Sequence, residues 1–553
     1  MAVTSRDVVQ DPLDTAMRSG APDEGGRGKW LALAAALLGW MFDGAEMGVF
    51  SLVGRPAIKD LMANATEGEI GLWFNVIMAG FLVGAATGGV LFGWLGDRIG
   101  RVRAMTLSVL VYALFTGLCG FAGQAWQIGT LRFIAALGMG GEWSLGVALV
   151  MEVWPNRSRA FMAGLIGAAA NVGYMMVGFI GMALLEVLAN LDQGLRAIHL
   201  PDSWVDMLVA NSGWRLMMIM GTAPALLTFL IRIFVPESEK WEHEKEKGST
   251  SNWATQDLLA VLVGVIGPVM IVYLWAFDKT GSLVHSTALR VTGTLVGLAI
   301  AIVGYTYPVL RFFQRQAASD PTQANWGPTF GRMLLGACLS GVALLGTWGS
   351  TQQAPSWMDK KTEATWQAER QRLTDGGQHE QAAALERPKA KEHTLVWLSL
   401  GAIVGTMLAA LMGDWFGRRM AYFVLCVLSL ATVWWMFLGG HEFGGNFLFC
   451  SFVAGATTAS FYGWLPLYLP ELFRTSVRAT GQGFAFNFGR ILAAIGVLQV
   501  GNMLNLFKKD LVLGSWTLEH GHPLACSTIA LVYVIGMVLI WFAPETRGKP
   551  LPE

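Results

Sequence analysis

Gly93-Trp-Leu-Gly-Asp97-Arg98-Ile-Gly100-Arg101 closes one long apolar stretch, and Ala410-Leu-Met-Gly-Asp414-Trp-Phe-Gly417-Arg418-Arg419 closes another, with the two aspartates 317 positions apart. The period continues downstream. Glu152-Val-Trp-Pro-Asn-Arg-Ser-Arg159 is echoed 319 positions later by Glu471-Leu-Phe-Arg-Thr-Ser-Val-Arg478. Val235-Pro-Glu-Ser238 has its counterpart in Ala543-Pro-Glu-Thr546. Three landmarks in one order at nearly one offset mark two homologous halves.

The 553 residues are 54% hydrophobic and 14% charged, well below the ~25% charge of a soluble domain. That composition belongs to an integral membrane protein. A helix needs ~20 largely apolar residues to cross a bilayer, and fourteen stretches qualify: 30–52, 71–95, 104–122, 126–151, 160–188, 215–235, 256–276, 290–312, 331–349, 394–413, 420–438, 444–469, 480–505 and 525–543. Helices are the expected form, because backbone groups cannot stay unpaired in hydrocarbon. The 67 glycines suit close helix approach. Lys+Arg and Asp+Glu balance at 39 each, so net charge indicates no nucleic-acid partner.

Local charge sets the expected orientation. Arg98, Arg101, Arg103, Arg159, Lys240, Lys245, Arg311, Arg315, Arg418, Arg419, Arg474, Arg478, Arg547 and Lys549 fall on one side, which the positive-inside rule makes cytosolic. Arg55, Lys59, Lys508 and Lys509 are exceptions. Both termini then face the cytosol of a multi-pass protein of the cell membrane. Residues 1–29 read as a cytosolic tail, 30–236 as a six-helix bundle and 237–330 as a linker carrying an inserted hairpin at 256–312. Residues 331–546 read as a second six-helix bundle with an excursion at 351–393 on the far side, and 547–553 as a short cytosolic tail. The fold class is therefore all-α, with two bundles and an extra pair of spans. Cys119, Cys338, Cys426, Cys450 and Cys526 lie in or beside apolar segments without metal or disulfide spacing, and read as packing residues.

The doubled Gly-Asp-x-x-Gly-Arg turn resembles the signature of the major facilitator superfamily, and the likeness runs over essentially the whole chain. Glu152–Arg159 and Glu471–Arg478 are similar to the second feature of its sugar and organic-acid porters. Helix 4, with Gly138-Met-Gly140-Gly141-Glu142-Trp143 and Glu152-Val-Trp-Pro155, resembles metabolite:proton and especially sialate:proton symporters. So does Asp43-Gly44-Ala45-Glu46, close to their Asp-Gly-x-Asp. The closing Pro544-Glu545-Thr546-Arg547-Gly548 is more like that of sugar porters, and the excursion is a departure. The resemblance implies latches that hold the cytosolic ends of the bundles together and break when the site opens inward. Their candidates are Asp97, Arg98, Arg101, Glu152 and Arg159 in the first half, with Asp414, Arg418, Glu471 and Arg478 in the second.

Ionisable groups inside apolar helices are costly and mark ion or substrate paths. Asp43 and Glu46, three positions apart, share a helix face and with Glu142 are the proton-coupling candidates. Arg490, about 18 Å into its span by helical rise, could hold a carboxylate through two parallel hydrogen bonds. Arg132, Asn171, Tyr174, Trp348, Gln352, Tyr462, Trp464 and Asn487 complete the candidate substrate site. The expectation is a monomeric secondary transporter in the lipid bilayer that imports a small organic anion, sialic-acid-like, aromatic or another carboxylate, with protons. It uses the proton gradient and no cofactor, and expects no metal. A sugar or polyol porter would need no buried arginine. A non-transporting sensor would need a large cytosolic output segment. Nucleotide loops, HExxH and nucleophile elbows are missing from the sequence, so enzyme chemistry has no support.

Overall fold

The computed structural model describes residues 24–154, 158–222, 226, 228, 232–233, 235–277, 283–319, 326–513 and 516–552. Among them, thirteen helices are long and apolar enough to cross a membrane. They coincide with the expected spans except the sixth, 215–235, much of which lies outside the described residues.

The first half is α1 (Glu24–Leu61), α2 (Glu67–Ile99), α3 (Arg101–Leu118), α4 (Ala125–Val153) and α5 (Arg159–Met182). Two further helices follow, α6 (Leu184–Ala197) and α7 (Asp202–Met220). The fifth expected span was drawn to residue 188, yet α5 stops at Met182 and α6 begins a separate amphipathic helix with a charged turn at Asp192 and Arg196. Inside α7 the backbone breaks at Asn211 (φ 52°), Ser212 (φ 65°) and Gly213 (φ 60°). Asp60 holds that break, accepting from Asn211 Nδ2 at 2.6 Å and Trp214 Nε1 at 2.9 Å.

A short helix α8 (Glu239–Glu246) leads to the hairpin α9 (Leu258–Phe277) and α10 (Leu283–Ser319). The two arms meet through glycine: a Cβ on Gly267 would lie 2.1 Å from the Gly297 carbonyl oxygen, so nothing larger fits there. Close backbone approach of this kind is how apolar helices associate without a hydrophobic driving force. At the basic end the hairpin is tied by Arg315, which donates to both Asp257 oxygens at 2.7 Å, and by Trp253 stacked on Phe312. Its buried side meets α2, where Tyr305 and Thr87 share a 2.7 Å hydroxyl bond.

The second half is α11 (Gly327–Gly349), α12 (Ala354–Asp375), α13 (His379–Ala384), α14 (Ala390–Phe416) and α15 (Arg418–Leu438). It continues through α16 (Gly445–Thr458), α17 (Phe461–Tyr468), α18 (Arg478–Leu506), α19 (His522–Ile529) and α20 (Val532–Leu539). The 351–393 excursion is helical as expected, being α12 and α13, and Lys361 pins it to Glu442 at 3.1 Å and Glu519 at 3.2 Å. The all-helical picture has one addition, a ribbon pairing Leu511–Leu513 with Trp516–Leu518. Of the five cysteines, Cys338 is exposed and the other four are buried.

The halves meet along two helix pairs, α2 with α18 and α5 with α14. The first is a glycine crossing: a Cβ on Gly483 would stand 2.2 Å from Gly89 O, and one on Gly93 2.6 Å from Ala479 O. Gly483→Ala should therefore lower thermal stability in detergent by about 1–3 kcal/mol, the cost of overpacking. Gly331→Ala, at a helical position with open space around its would-be Cβ, should be neutral or slightly stabilising. Equal melting points for the two variants would contradict the crossing.

Candidate functional site

The repeated turns build two matching ends. In each half the Pro-Glu motif at the close of the half caps the helix that follows the Gly-Asp-x-x-Gly-Arg turn. Glu237 accepts from Arg101 N at 2.8 Å and Val102 N at 3.1 Å; Glu545 accepts from Arg418 N at 3.0 Å and Arg419 N at 3.1 Å. A carboxylate on the free N–H groups of a first turn satisfies orphan donors and the helix dipole together. Burial pushes the Glu237 carboxyl up despite its donors. At the more open Glu545 burial pulls the same way, but four backbone N–H groups outweigh it and hold the carboxyl below its ordinary value. The next residue completes the motif, Ser238 Oγ donating to Glu152 at 2.6 Å and Thr546 Oγ1 to Glu471 at 2.5 Å.

Between these caps sit the residues expected to form the latch, and the two sets are unequal. In the first half Arg101 pairs with Asp97 and Glu152, each at 3.1 Å. The other contacts cross between halves: Glu152 takes Arg478 at 2.8 Å, Arg101 donates to Thr475 O at 2.8 Å, and Asp97 caps α18 through Thr480 N (2.8 Å), Thr480 Oγ1 (2.6 Å) and Ala479 N (3.2 Å). In the second half Arg418 joins Asp414 at 3.0 Å and Glu471 at 2.6 Å, with the Arg159 charge near Glu471. Asp414 is 43% exposed, whereas Asp97 is buried. Arg98 corrects the expectation. It donates to Thr255 beside the hairpin and lies over Trp94. One helical step from Asp97 turns it ~100° away from the latch.

Toward the middle of the helices, the charged candidates divide. Glu46 is paired with Arg132 at 2.6 Å, and that guanidinium is sandwiched by Phe50 and Phe81, 4.2 and 4.7 Å from the ring centres. Glu142 is paired at 2.7 Å with Arg232, a residue the sequence reading did not single out. Arg232 also reaches the carbonyls of Ala35 and Met105, each at 3.4 Å. The rule that flagged Arg132 applies equally to a lone arginine in the apolar run before Val235.

Asp43 and Arg490 have no ion-pair partner among the described residues. They line a cavity of about 110 Å³ enclosed by α1, α4, α5, α11, α17 and α18. Asn171, Tyr174, Trp348, Gln352 and Tyr462 line it too, together with Trp40, Met139, Trp143 and Phe486, which the sequence reading passed over. Trp40 stands three positions before Asp43, on the same helix face. Trp143 and Phe486 stack across the halves with ring centres 3.6 Å apart, and Arg490 lies 5.4 Å above the Phe486 ring. Buried Trp40 Nε1, Asp43 Oδ1, Tyr174 Oη and Arg490 Nη1 have no hydrogen-bond partner among the described residues. Four such atoms around one cavity are a demand for a polar guest, since buried polar groups are normally satisfied.

Three expected substrate contacts fall elsewhere. Arg132 is consumed by Glu46. Trp464 is fully buried between Tyr422 and Tyr468 and donates to Arg418 O at 3.1 Å. Asn487 is buried at the α2–α18 crossing, donating to Gly140 O and Gly483 O. No metal-binding group of three or more His, Cys, Asp or Glu occurs among the described residues.

The family model described as "Sugar (and other) transporter" matches residues 31–259. The chain is 26% identical to a Haemophilus influenzae protein described no further than as a metabolite transporter, over 94% of this chain and 98% of that one. It is 24% identical to the cis,cis-muconate transport protein of Acinetobacter baylyi, over 85% and 86%. The major facilitator superfamily proton:xylose symporter XylE superposes on it with a TM-score of 0.60 at 16% identity, covering 95% of this chain and 98% of that one. The chain has the all-helical major facilitator fold and is similar to transporters over most of its length. The cavity between the two halves is where such a fold places its cargo.

The two internal ion pairs test differently from the cavity charges. Arg232→Leu should cost about 3–5 kcal/mol of stability by stranding Glu142, whereas Arg232→Leu with Glu142→Leu should recover most of that loss. Thermal unfolding of the four corners of this cycle measures it. A double variant as unstable as the single one would show that Glu142 is held by something besides Arg232.

Proposed function

We propose that this protein imports a small aromatic or conjugated carboxylate together with protons, by alternating access, with the basic end of the helices facing the cytosol. The observation that carries the reading is Arg490, a buried guanidinium at a cavity walled by aromatic rings, with Nη1 unpartnered and no acid at ion-pair distance among the described residues. A planar fork of donors matches a carboxylate, and Trp40 Nε1 and Tyr174 Oη are further donors on the same wall. The rings of Trp40, Trp143, Trp348 and Phe486 offer flat apolar faces to the rest of the ligand. Muconate, carried by a relative, is a conjugated acid of this kind.

Size favours the smaller acids. A cavity that holds benzene measures on the order of 150 Å³, so at about 110 Å³ this one sets an upper limit near a single ring or a short unsaturated chain. A bulky sialic acid fits this closed state poorly. A sugar or polyol porter is disfavoured by Arg490, whose charge would be left without a partner.

Asp43 is the acid proposed to carry the coupling proton. Glu46 and Glu142, the other candidates, are already neutralised by Arg132 and Arg232, whereas Asp43 faces the cavity with Oδ1 unpartnered. In the proposed cycle a protonated Asp43 and an anionic ligand on Arg490 travel together, and proton release inside frees the carboxylate to compete for the arginine. Because Asp43 and Arg490 attract each other through space, loss of the ligand is compensated by the ionised Asp43.

Two measurements decide it. Arg490→Lys should weaken binding of benzoate or cis,cis-muconate by at least about tenfold, because a point charge does not reproduce the fork. Unchanged affinity, or tight binding of a neutral sugar instead, would remove the anion reading. Asp43→Asn in proteoliposomes should abolish accumulation driven by an inward proton gradient while sparing exchange of labelled for unlabelled acid. Uphill uptake by this variant would move the coupling to another group.

A further inference from the structure

Between the central cavity and the end of the molecule away from the latch lies a second cavity of about 90 Å³. It shares Trp348 and Gln352 with the central one, so those two side chains form the partition. On its other side it shares Leu52, Lys391 and Glu392 with a surface recess of about 860 Å³. Three spaces therefore stand in series from the surface to Arg490. The middle one is walled by Ser51, Asn75, Gln353 and Lys391, with Glu392 as its acid.

Lys391 is placed to do two things. Its ammonium donates to Ser51 O at 2.8 Å, bridging α14 to α1 and so one half to the other. Lys389 makes a second bridge, to Met182 O at 2.6 Å. Neither is an ion pair: both lysines spend their charge on neutral carbonyls, which a carboxylate outcompetes as an acceptor. The charges around Lys391 are Glu392, Asp359, Arg55 and Arg387. Arg387 already holds Asp359 at 3.2 Å and Glu363 at 2.5 Å. That leaves Glu392 as the acid beside Lys391, and the ammonium as the group in the middle cavity able to hold an anion.

We propose that this middle cavity is a transient entry site for the carboxylate ligand, held by Lys391 with the Asn75 and Gln353 amides, ahead of the central site. The inference rests on the carboxylate reading above. An acid arriving from the surface recess would draw the Lys391 ammonium off Ser51 O, loosening the α1–α14 bridge as the ligand passes Trp348 and Gln352. Binding at the entry and opening of that end are then one event, as differential affinity for the open state requires.

The test compares the two sides of the membrane. KM for labelled benzoate, or for cis,cis-muconate where benzoate is not carried, is measured for influx into cells and for uptake into inside-out vesicles. Lys391→Gln and Asn75→Leu should each raise the KM for influx about tenfold, the scale of a lost charge-assisted contact. The KM from the opposite side and the calorimetric Kd of purified protein, which reports the central site, should stay within about twofold. Absent uptake of either acid by the wild type would overturn the carboxylate reading and this inference with it. With wild-type uptake present, an unchanged influx KM in both variants, or equal changes on both sides, would overturn the entry site alone. A lower influx KM for Lys391→Gln would make the lysine a bridge and nothing more, and would likewise overturn it.

Discussion

A charge inside a bundle of apolar helices has to be matched, and the arrangement of this protein follows from which charges are matched and which are left. Glu46 with Arg132 and Glu142 with Arg232 are ion-paired, flanked by Phe50 and Phe81 in the first case and by backbone carbonyls in the second. Such pairs add little net stability, because the Coulombic gain mostly offsets desolvation. Their effect is on position. They fix α1 and α4 to each other, and α4 to the helix bearing Arg232, and so hold the Asp43 face of α1 toward the cavity. Asp43 and Arg490 line the cavity from α1 and α18 without an ion pair among the described residues.

The closures at the two ends are built from different chemistry. At the basic end, ionised groups cross between halves: Arg478 to Glu152, Arg101 to Thr475 O, and Asp97 to the first turn of α18. At the other end the crossing contacts include two lysines on the neutral carbonyls of Ser51 and Met182. Charge-assisted bonds to carboxylates are the stronger kind, and on the proposed import reading the lysine end would be the one that opens to arriving cargo. At the basic end Asp97 is buried and reaches across to α18, while its counterpart Asp414 is 43% exposed. The hairpin reinforces that side. It packs on α2 through Tyr305 and Thr87 and also touches α18, so the moving seam between the halves has a strap along it.

Much of this could be read from the chain because it is periodic or costly. The doubled turn, its 317-residue offset and the Pro-Glu closures locate both halves and both caps, and the hydropathy locates the spans. Asp43 and Arg490 stand out because ions in apolar runs demand explanation. Facing is harder. Tyr462 and Trp464 are two positions apart, and two helical steps turn a side chain by ~200°, so one lines the cavity while the other is locked behind Arg418. In a helix that is apolar all round, nothing local says which side points inward. Arg132 and Arg490 look alike in sequence for the same reason, and only the position of Glu46 separates them. Lys391 escaped notice because it begins a span, where a basic residue is usually an interfacial anchor.

The aromatic lining bears on how such a site can be both selective and fast. A ligand held by a single arginine in a water-poor cavity would leave slowly unless something offset the lost contact on departure. On the proposed reading Asp43 is that something, since it lines the same cavity and makes no ion pair with Arg490 among the described residues. Trp143 and Phe486 add a second element, because their stack joins α4 of one half to α18 of the other directly beneath the guanidinium. Rocking of the halves must slide or part these rings, and that motion changes the distance from Arg490 to the donors on α1 and α5. On the proposed reading Trp40 Nε1 and Tyr174 Oη would share a carboxylate with Arg490 only while the halves are together, so binding energy would be drawn into closure and given back on opening.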